Sequence, residues 1–259
     1  MASSLTPVEE QTYYYLLTAW IFIAILSYPF LRKKTQPYGR HTSAKWGPLI
    51  DNRLGWIIME MPALVVAPTL YVLGDGEKNL PMDFFMFLWV FHYVNRTLVF
   101  PLRTKTSGKK IPIAIVVSAI FFNCINGFFN GYYFGFLSPF YESHWYYDPR
   151  FLIGLFFFIT GLAINWISDN QLIRIRRNSS DGYRIPYGGL FEFVSCPNHF
   201  GEILEWFGFA ILTWSLPAFS FSVWTAVNLI PRSKNHHRWY KEQFPDYPAE
   251  RRAVIPFVT

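Results

Sequence analysis

The stretch YYYLLTAWIFIAILSYPFL, Tyr13 to Leu31, followed at once by Arg32, Lys33 and Lys34, decides the fold class. Its nineteen residues carry no charge, and an α-helix needs about 20 apolar residues to cross the hydrocarbon of a bilayer. A basic cluster directly behind such a run marks the cytoplasmic edge of a membrane span. Outward from this stretch the pattern recurs. Apolar runs occupy residues 55–72, 84–102, 111–137 and 151–167. A longer region after Pro186 reads as two short helices over 190–213 and 217–231, turning near Pro217. Of the 259 residues, 52% are hydrophobic, 20% aromatic and only 15% charged. So few charges cannot clothe a soluble domain of this size, and the composition also excludes a disordered chain, a collagen-like repeat and a coiled coil.

Loop charges set the topology. Twenty of the 23 Lys and Arg residues fall within 32–53, 103–110, 174–184 and 232–252. The alternate loops hold Asp75, Glu77, Lys78 and Asp83, then Glu142, Asp148 and Arg150. Positive residues favour the cytoplasmic side of short loops, so the loops read inside, outside, inside, outside, inside, and the basic tail lies inside too. That requires an even number of crossings after Pro186. The expected fold is an all-α integral membrane protein of seven transmembrane helices, forming one polytopic domain over 1–259. The N-terminus is outside or lumenal and the tail, 232–259, is cytoplasmic. A re-entrant segment in place of the last two helices meets the same condition. The formal charge of +6 follows from this topology and does not call for nucleic acid. The first residues lack a basic n-region, so no signal peptide is expected. Cys124 and Cys196 cannot build a disulfide framework or, alone, a structural zinc site. The sequons at Asn95 and Asn178 fall in a span and in a cytoplasmic loop and are expected to be unmodified. No internal repeat is visible.

Ionisable residues inside hydrocarbon need a partner, a wet cavity or a function. Glu60 and Arg96 lie near the middles of the second and third spans, with Tyr93 three residues before Arg96. One reading is a structural Glu–Arg pair. The other is that Glu60 and Tyr93 meet in a cavity and donate hydrogen bonds to a bound carbonyl, Glu60 acting as a protonated donor rather than a base. Asn165 and Asp169, four apart, share a helical face ahead of Arg174, Arg176 and Arg177. They either end a helix and enforce topology or begin a polyphosphate site, since guanidinium forks match phosphate oxygens. Asn198, Glu202 and Glu205 again share one face. His199 with Glu202 and Glu205 suggests a metal, but the histidine boxes of membrane di-iron enzymes are missing and no metal is expected. The tail mixes His236, His237, Arg238, Trp239 and Tyr240 with prolines, more than topology requires. No G-x-G-x-x-G follows a strand, so any nucleotide must be held by the helices and their cytoplasmic loops.

These residues resemble the membrane steroid 5α-reductases, the 3-oxo-5α-steroid 4-dehydrogenases of animal type 1 and type 2 kind, along nearly the whole chain. The resemblance rests on the run Gly182 to Phe191 (GYRIPYGGLF) followed by Asn198 to Trp206 (NHFGEILEW). Tyr38-Gly39-Arg40-His41, His92-Tyr93-Val94-Asn95-Arg96, Asp148-Pro149-Arg150-Phe151, Ile164 to Asp169, and the His236 to Tyr240 tail with its Ile255-Pro256-Phe257 ending match as well. The resemblance implies an NADPH-dependent enzyme that reduces the Δ4 double bond of a 3-oxo steroid of testosterone or progesterone type by hydride transfer to C5. It implies that Glu60 and Tyr93 hold the ketone oxygen and that Asn198 and Glu202 position the nicotinamide amide. Asn165, Asp169, Arg176, Tyr183, Arg184, Arg232, His236, Tyr240 and Arg251 would surround the rest of the cofactor. The family has Gln-Glu where this chain has Met59-Glu60, and a basic residue where it has Ser118; the second departure is expected to weaken dinucleotide affinity.

The substrate is expected to enter from the bilayer, with membrane lipid as the other partner, no nucleic acid and a monomeric protein. Such a protein sits in the endoplasmic reticulum of a eukaryote or the inner membrane of a bacterium. Two enzymatic rivals share these features: a reductase acting on another sterol or lipid enone, and an isoprenylcysteine-type methyltransferase using S-adenosylmethionine. In the latter the Glu60/Tyr93 pair has no evident task. A transporter or lipid-binding bundle is the non-enzymatic rival, but the two-fold internal repeats common in transporters are not visible.

Overall fold

A computed structural model describes residues 9–37, 39–106, 108–178 and 183–258. Eight helices form among them: α1 (Glu10–Lys33), α2 (Asn52–Leu73), α3 (Leu80–Val94), α4 (Phe100–Arg103), α5 (Ile113–Tyr132), α6 (Pro149–Arg177), α7 (Pro197–Thr213) and α8 (Leu216–Gln243). A π turn over Asn95–Val99 joins α3 to α4 in an unbroken helical run, and a second π turn, Tyr133–Leu137, extends α5. Four helices, α1, α2, α5 with its π turn and α6, are long and apolar enough to cross a membrane.

Local chemistry sets the helix ends. The Asp51 carboxylate accepts the Leu54 N–H at 3.0 Å and starts α2, while Asn79 Oδ1 accepts the Met82 N–H at 3.2 Å and starts α3. Both are side-chain N-caps that satisfy an orphan amide. Pro81, Pro197 and Pro217 occupy first turns of α3, α7 and α8, where a missing N–H costs nothing. The turn expected near Pro217 falls at Trp214, whose left-handed φ of 46° ends α7.

Two features differ from expectation. The structure is not purely helical, because β1 (Leu49–Asp51) pairs antiparallel with β2 (Lys110–Pro112). Strand pairing satisfies backbone groups of two basic loops that hydropathy alone reads as irregular. The sixth apolar segment, expected from residue 190, becomes α-helical only at Pro197, since 189–192 forms a 3-10 turn behind Gly188 and Gly189, both at positive φ. The segment 232–259, read as the cytoplasmic tail, begins within a helix: α8 continues through Pro231 to Gln243 and carries His236, His237 and Tyr240 on it. Of the sequence motifs, Tyr38, Gly182 and the sequon residues Ser179 and Ser180 lie outside the described residues.

The chain forms two compact units, one of residues 1–20 and 36–148, the other of 21–35 and 149–259. In the first, α5 packs on α2 through Gly127, Gly131 and Gly135; a Cβ on Gly131 would meet Ala67 O at 2.5 Å. In the second, Gly154 and Gly161 of α6 face Gly208 and Gly201 of α7, and a Cβ on Gly161 would meet Gly201 O at 2.5 Å. Small residues at four- or seven-residue spacing let helix backbones approach closely, the usual means of helix association in lipid. Trp206 of α7 then packs on Phe221 of α8, ring centroids 4.3 Å apart.

Candidate active site

In the first unit, Glu60 and Tyr93 are both anchored on α5. Glu60 Oε2 lies 3.4 Å from Asn123 Nδ2, and Tyr93 Oη lies 3.5 Å from Asn126 Nδ2. Asn123 also donates to Met59 O at 2.6 Å, which fixes the carbonyl one residue before Glu60. Arg96 Nε stands 3.8 Å from Glu60 Oε1, so the pair anticipated from the sequence is present. Its guanidinium rests over the Trp56 ring at 4.7 Å, and Trp56 Nε1 donates to Arg96 O at 3.2 Å. Arg96 sits in the π turn, a feature common where a helix is re-aimed at a functional site. Tyr93 is buried and packs on Trp89, whose indole N–H donates to Ala63 O at 2.9 Å. Polar groups from α2, α3 and α5 thus converge inside an aromatic, apolar unit.

The Met59 side chain takes no part in this polar set. Its side chain is buried with Ile111 and Val116, and Trp56 and Ile115 pack around them. Ser118 is exposed and bonds its own helix, donating to Ala114 O at 2.7 Å.

In the second unit, α6 and α7 are cross-linked by polar side chains. Asn165 Nδ2 donates to Asn198 O at 3.0 Å, and Asn198 Nδ2 donates to Asp169 Oδ1 at 3.1 Å. Asn165 and Asp169 are buried, whereas Asn198 and Glu202, one turn apart on α7, are half-buried. Arg176 follows Asp169 by seven residues on the same face of α6. Arg232, His236 and Tyr240 recur every four residues and so form one face of α8. His199 Nδ1 lies 2.8 Å from Ser233 Oγ, and its ring is 5.8 Å from that of His236, which ties the α7 and α8 rows together. Tyr183 packs edge-on against Trp239 at 5.1 Å, and Arg184 is exposed.

Arg251 is placed differently from the others. It is 1% exposed, donates from Nη1 to Pro186 O at 2.9 Å, and lies over the rings of Tyr187 and Tyr247 at 4.8 and 5.3 Å. It therefore clasps the segment ahead of α7. The tail is tied down again where Val194 bridges Arg252 in parallel and Ser195 N donates to Arg252 O at 2.8 Å. Beside that bridge Ser195 Oγ meets His237 Nδ1 at 2.6 Å and Tyr247 Oη at 2.7 Å. Burial, with Lys241 and Arg252 adding to it, pushes the His237 pKa down to about 4. Among the described residues no three His, Cys, Asp or Glu side chains are grouped to hold a metal.

Asn123, Asn126 and Asn130 escaped the sequence reading. They are uncharged and lie in an apolar run, so hydropathy passes over them. Their spacing of three and four residues on one helical face was the available signal.

The family profile described as 3-oxo-5-alpha-steroid 4-dehydrogenase matches residues 109–259. The chain is similar to the steroid 5-alpha-reductase DET2 of Gossypium hirsutum, 40% identical over 255 residues that cover 96% of this chain and 98% of that protein. The chain belongs to the 3-oxo-5-alpha-steroid 4-dehydrogenase family. It is an enzyme of that family, an oxidoreductase. It is also similar to 3-oxo-5-alpha-steroid 4-dehydrogenase 1 of Rattus norvegicus, 39% identical over 92% of each chain. Against 3-oxo-5-alpha-steroid 4-dehydrogenase 2 of Mus musculus it is 39% identical, over 87% of this chain and 89% of that one. The animal 3-oxo-5-alpha-steroid 4-dehydrogenases and the plant enzyme thus align with both units, and the family match itself spans α5 through the tail.

Proposed function

We propose that this family member reduces the Δ4 double bond of a 3-oxo-Δ4 steroid, giving the 5α-dihydro ketone, with NADPH as reductant. The observation that carries this reading is the anchoring of Glu60 and Tyr93 one helical turn apart on α5 inside an otherwise aromatic unit. An enone accepts hydride at its β-carbon only if charge can move onto the ketone oxygen. Two donors aimed at that oxygen stabilise the enolate-like transition state, and loss of one typically costs about 2.7–4 kcal/mol.

The polar residues of the second unit fit a dinucleotide. Half-buried carboxamide and carboxylate groups at Asn198 and Glu202 suit the nicotinamide amide. Arg176, Arg184 and Arg232 supply charge for phosphates, and Asn165, Asp169, Tyr183, His236 and Tyr240 supply hydrogen bonds and ring surface. Arg251 contributes by holding the Tyr183–Glu192 segment in place. NADPH, when bound, supplies the hydride that C5 accepts. Glu60 and Tyr93 hold the ketone oxygen and exclude water from it, and C4 takes its proton last. The membrane arrangement proposed for this chemistry is seven spans, with the basic loops and tail on the cytoplasmic side, where NADPH is dissolved. The steroid arrives from the bilayer.

The test is direct: purified protein in detergent is given NADPH and progesterone, and products are identified by mass spectrometry. A product two mass units heavier with 5α configuration is expected. Bound NADPH with no reduction of progesterone, testosterone or another 3-oxo-Δ4 steroid would overturn the substrate class, and absence of NADPH binding would overturn the cofactor.

A further inference from the structure

The asparagine row on α5 has a fixed hydrogen-bond direction. Asn130 Nδ2 lies 3.0 Å from the Asn126 backbone oxygen and 3.2 Å from Asn126 Oδ1. A backbone carbonyl can only accept, so the Asn130 group facing it must be the NH2 end. That NH2 meets Asn126 Oδ1 as well, which obliges Asn126 to turn its own NH2 to the other side. There it faces Tyr93 Oη at 3.5 Å, a long contact of the kind that tightens when substrate binds. The orientation leaves Asn130 Oδ1, on a residue 1% exposed, without a hydrogen-bond partner. An unpaired buried acceptor costs stability, so the row keeps its donor direction at the expense of one lone pair.

We propose that Asn126, held by Asn130, is a positioning residue for the reduction: by donating to the Tyr93 oxygen it turns the phenol proton away from α5 and toward the steroid ketone. This rests on the reading that Tyr93 holds that ketone. A hydroxyl that accepts a hydrogen bond is polarised into a better donor, so the row both orients Tyr93 and strengthens it. Asn123 serves Glu60 in parallel, its NH2 shared between Glu60 and the Met59 carbonyl.

The experiment is a double-mutant cycle with NADPH and progesterone. Asn126→Leu removes the donor at similar volume. Asn126→Asp keeps the acceptor that Asn130 needs but presents an acceptor to Tyr93, which draws the phenol proton back toward α5. Each is expected to lower kcat about tenfold with the NADPH KM unchanged. In the Tyr93→Phe background neither is expected to change kcat by more than about twofold, because the group through which Asn126 acts is gone. Equal losses in both backgrounds, or native kcat in Asn126→Asp, would overturn the positioning role while leaving the ketone clamp intact. Native kcat in Tyr93→Phe itself would overturn the clamp, and this inference with it.

Discussion

Removing the Tyr93 hydroxyl changes one atom in a buried, packed site, so it separates the proposed ketone clamp from the fold. Tyr93→Phe and Glu60→Gln are each expected to lower kcat by about 10²–10³-fold, the range for loss of one oxyanion donor. NADPH affinity, read by fluorescence titration, should stay native. An amide is a weaker hydrogen-bond donor than a carboxylic acid, so glutamine is an incomplete substitute at position 60. Unchanged turnover in both variants would remove the assignment. His237 offers a different test at this scale. Its pKa is held down near 4, against 6.5 for a free histidine. Between those values the unfolded chain binds the proton that the folded chain refuses, so this group makes stability fall as pH drops from about 6.5 to about 4. His237→Gln, which keeps a polar group beside Ser195, should flatten the melting temperature over that window; an unaltered pH profile would contradict the role. Glu60 and Arg96 were legible in the sequence because charge inside an apolar run is conspicuous. Asn126 and Asn130 were not, because an uncharged amide barely alters hydropathy and its meaning lies in the direction of its hydrogen bonds.

At the scale of elements, α6 and α7 depend on glycines that hydropathy also passes over. Gly161 and Gly201 let the two backbones come close enough for Asn165 and Asn198 to bridge them. Gly161→Leu is expected to abolish the folded protein and with it the proposed NADPH binding, seen as loss of a monodisperse peak in size-exclusion chromatography. A stable variant with native affinity would show that the Asn165–Asn198–Asp169 bridge does not need the close approach. Helix existence was read well from the apolar runs, and the break near Pro217 was read from the proline. The late start of α7 was not, because residues 190–196 are as apolar as a helix while the adjoining Gly188 and Gly189 favour positive φ. The β1–β2 ladder was equally hidden, since pairing three residues across the 58 that separate the strands leaves no local period.

For the whole molecule, the distribution of basic residues makes the strongest statement. Among the described residues four helices are long and apolar enough by themselves to cross a membrane; the π turn divides α3 from α4, α7 is 17 residues long and α8 is charged in its second half, so these are not. Loop charge, not helix length, therefore carries the seven-span proposal. Cysteines introduced one at a time at Glu77 and Lys105, both exposed, in a background that lacks the exposed Cys124 and keeps only the buried Cys196, are expected to react with a membrane-impermeant maleimide from opposite faces of sealed vesicles. Labelling from the same face would contradict the topology.

The central claim, hydride delivery to C5 of a polarised steroid enone, is tested most directly by isotope tracing. The purified protein is run with progesterone and NADPH deuterated at C4 of the nicotinamide, each face in turn, and the product is analysed by NMR. One face is expected to place its deuterium wholly at C5 in the α configuration, with the new C4 hydrogen drawn from solvent. Deuterium at C4, loss of the label to water, or a product saturated at another bond would contradict the account.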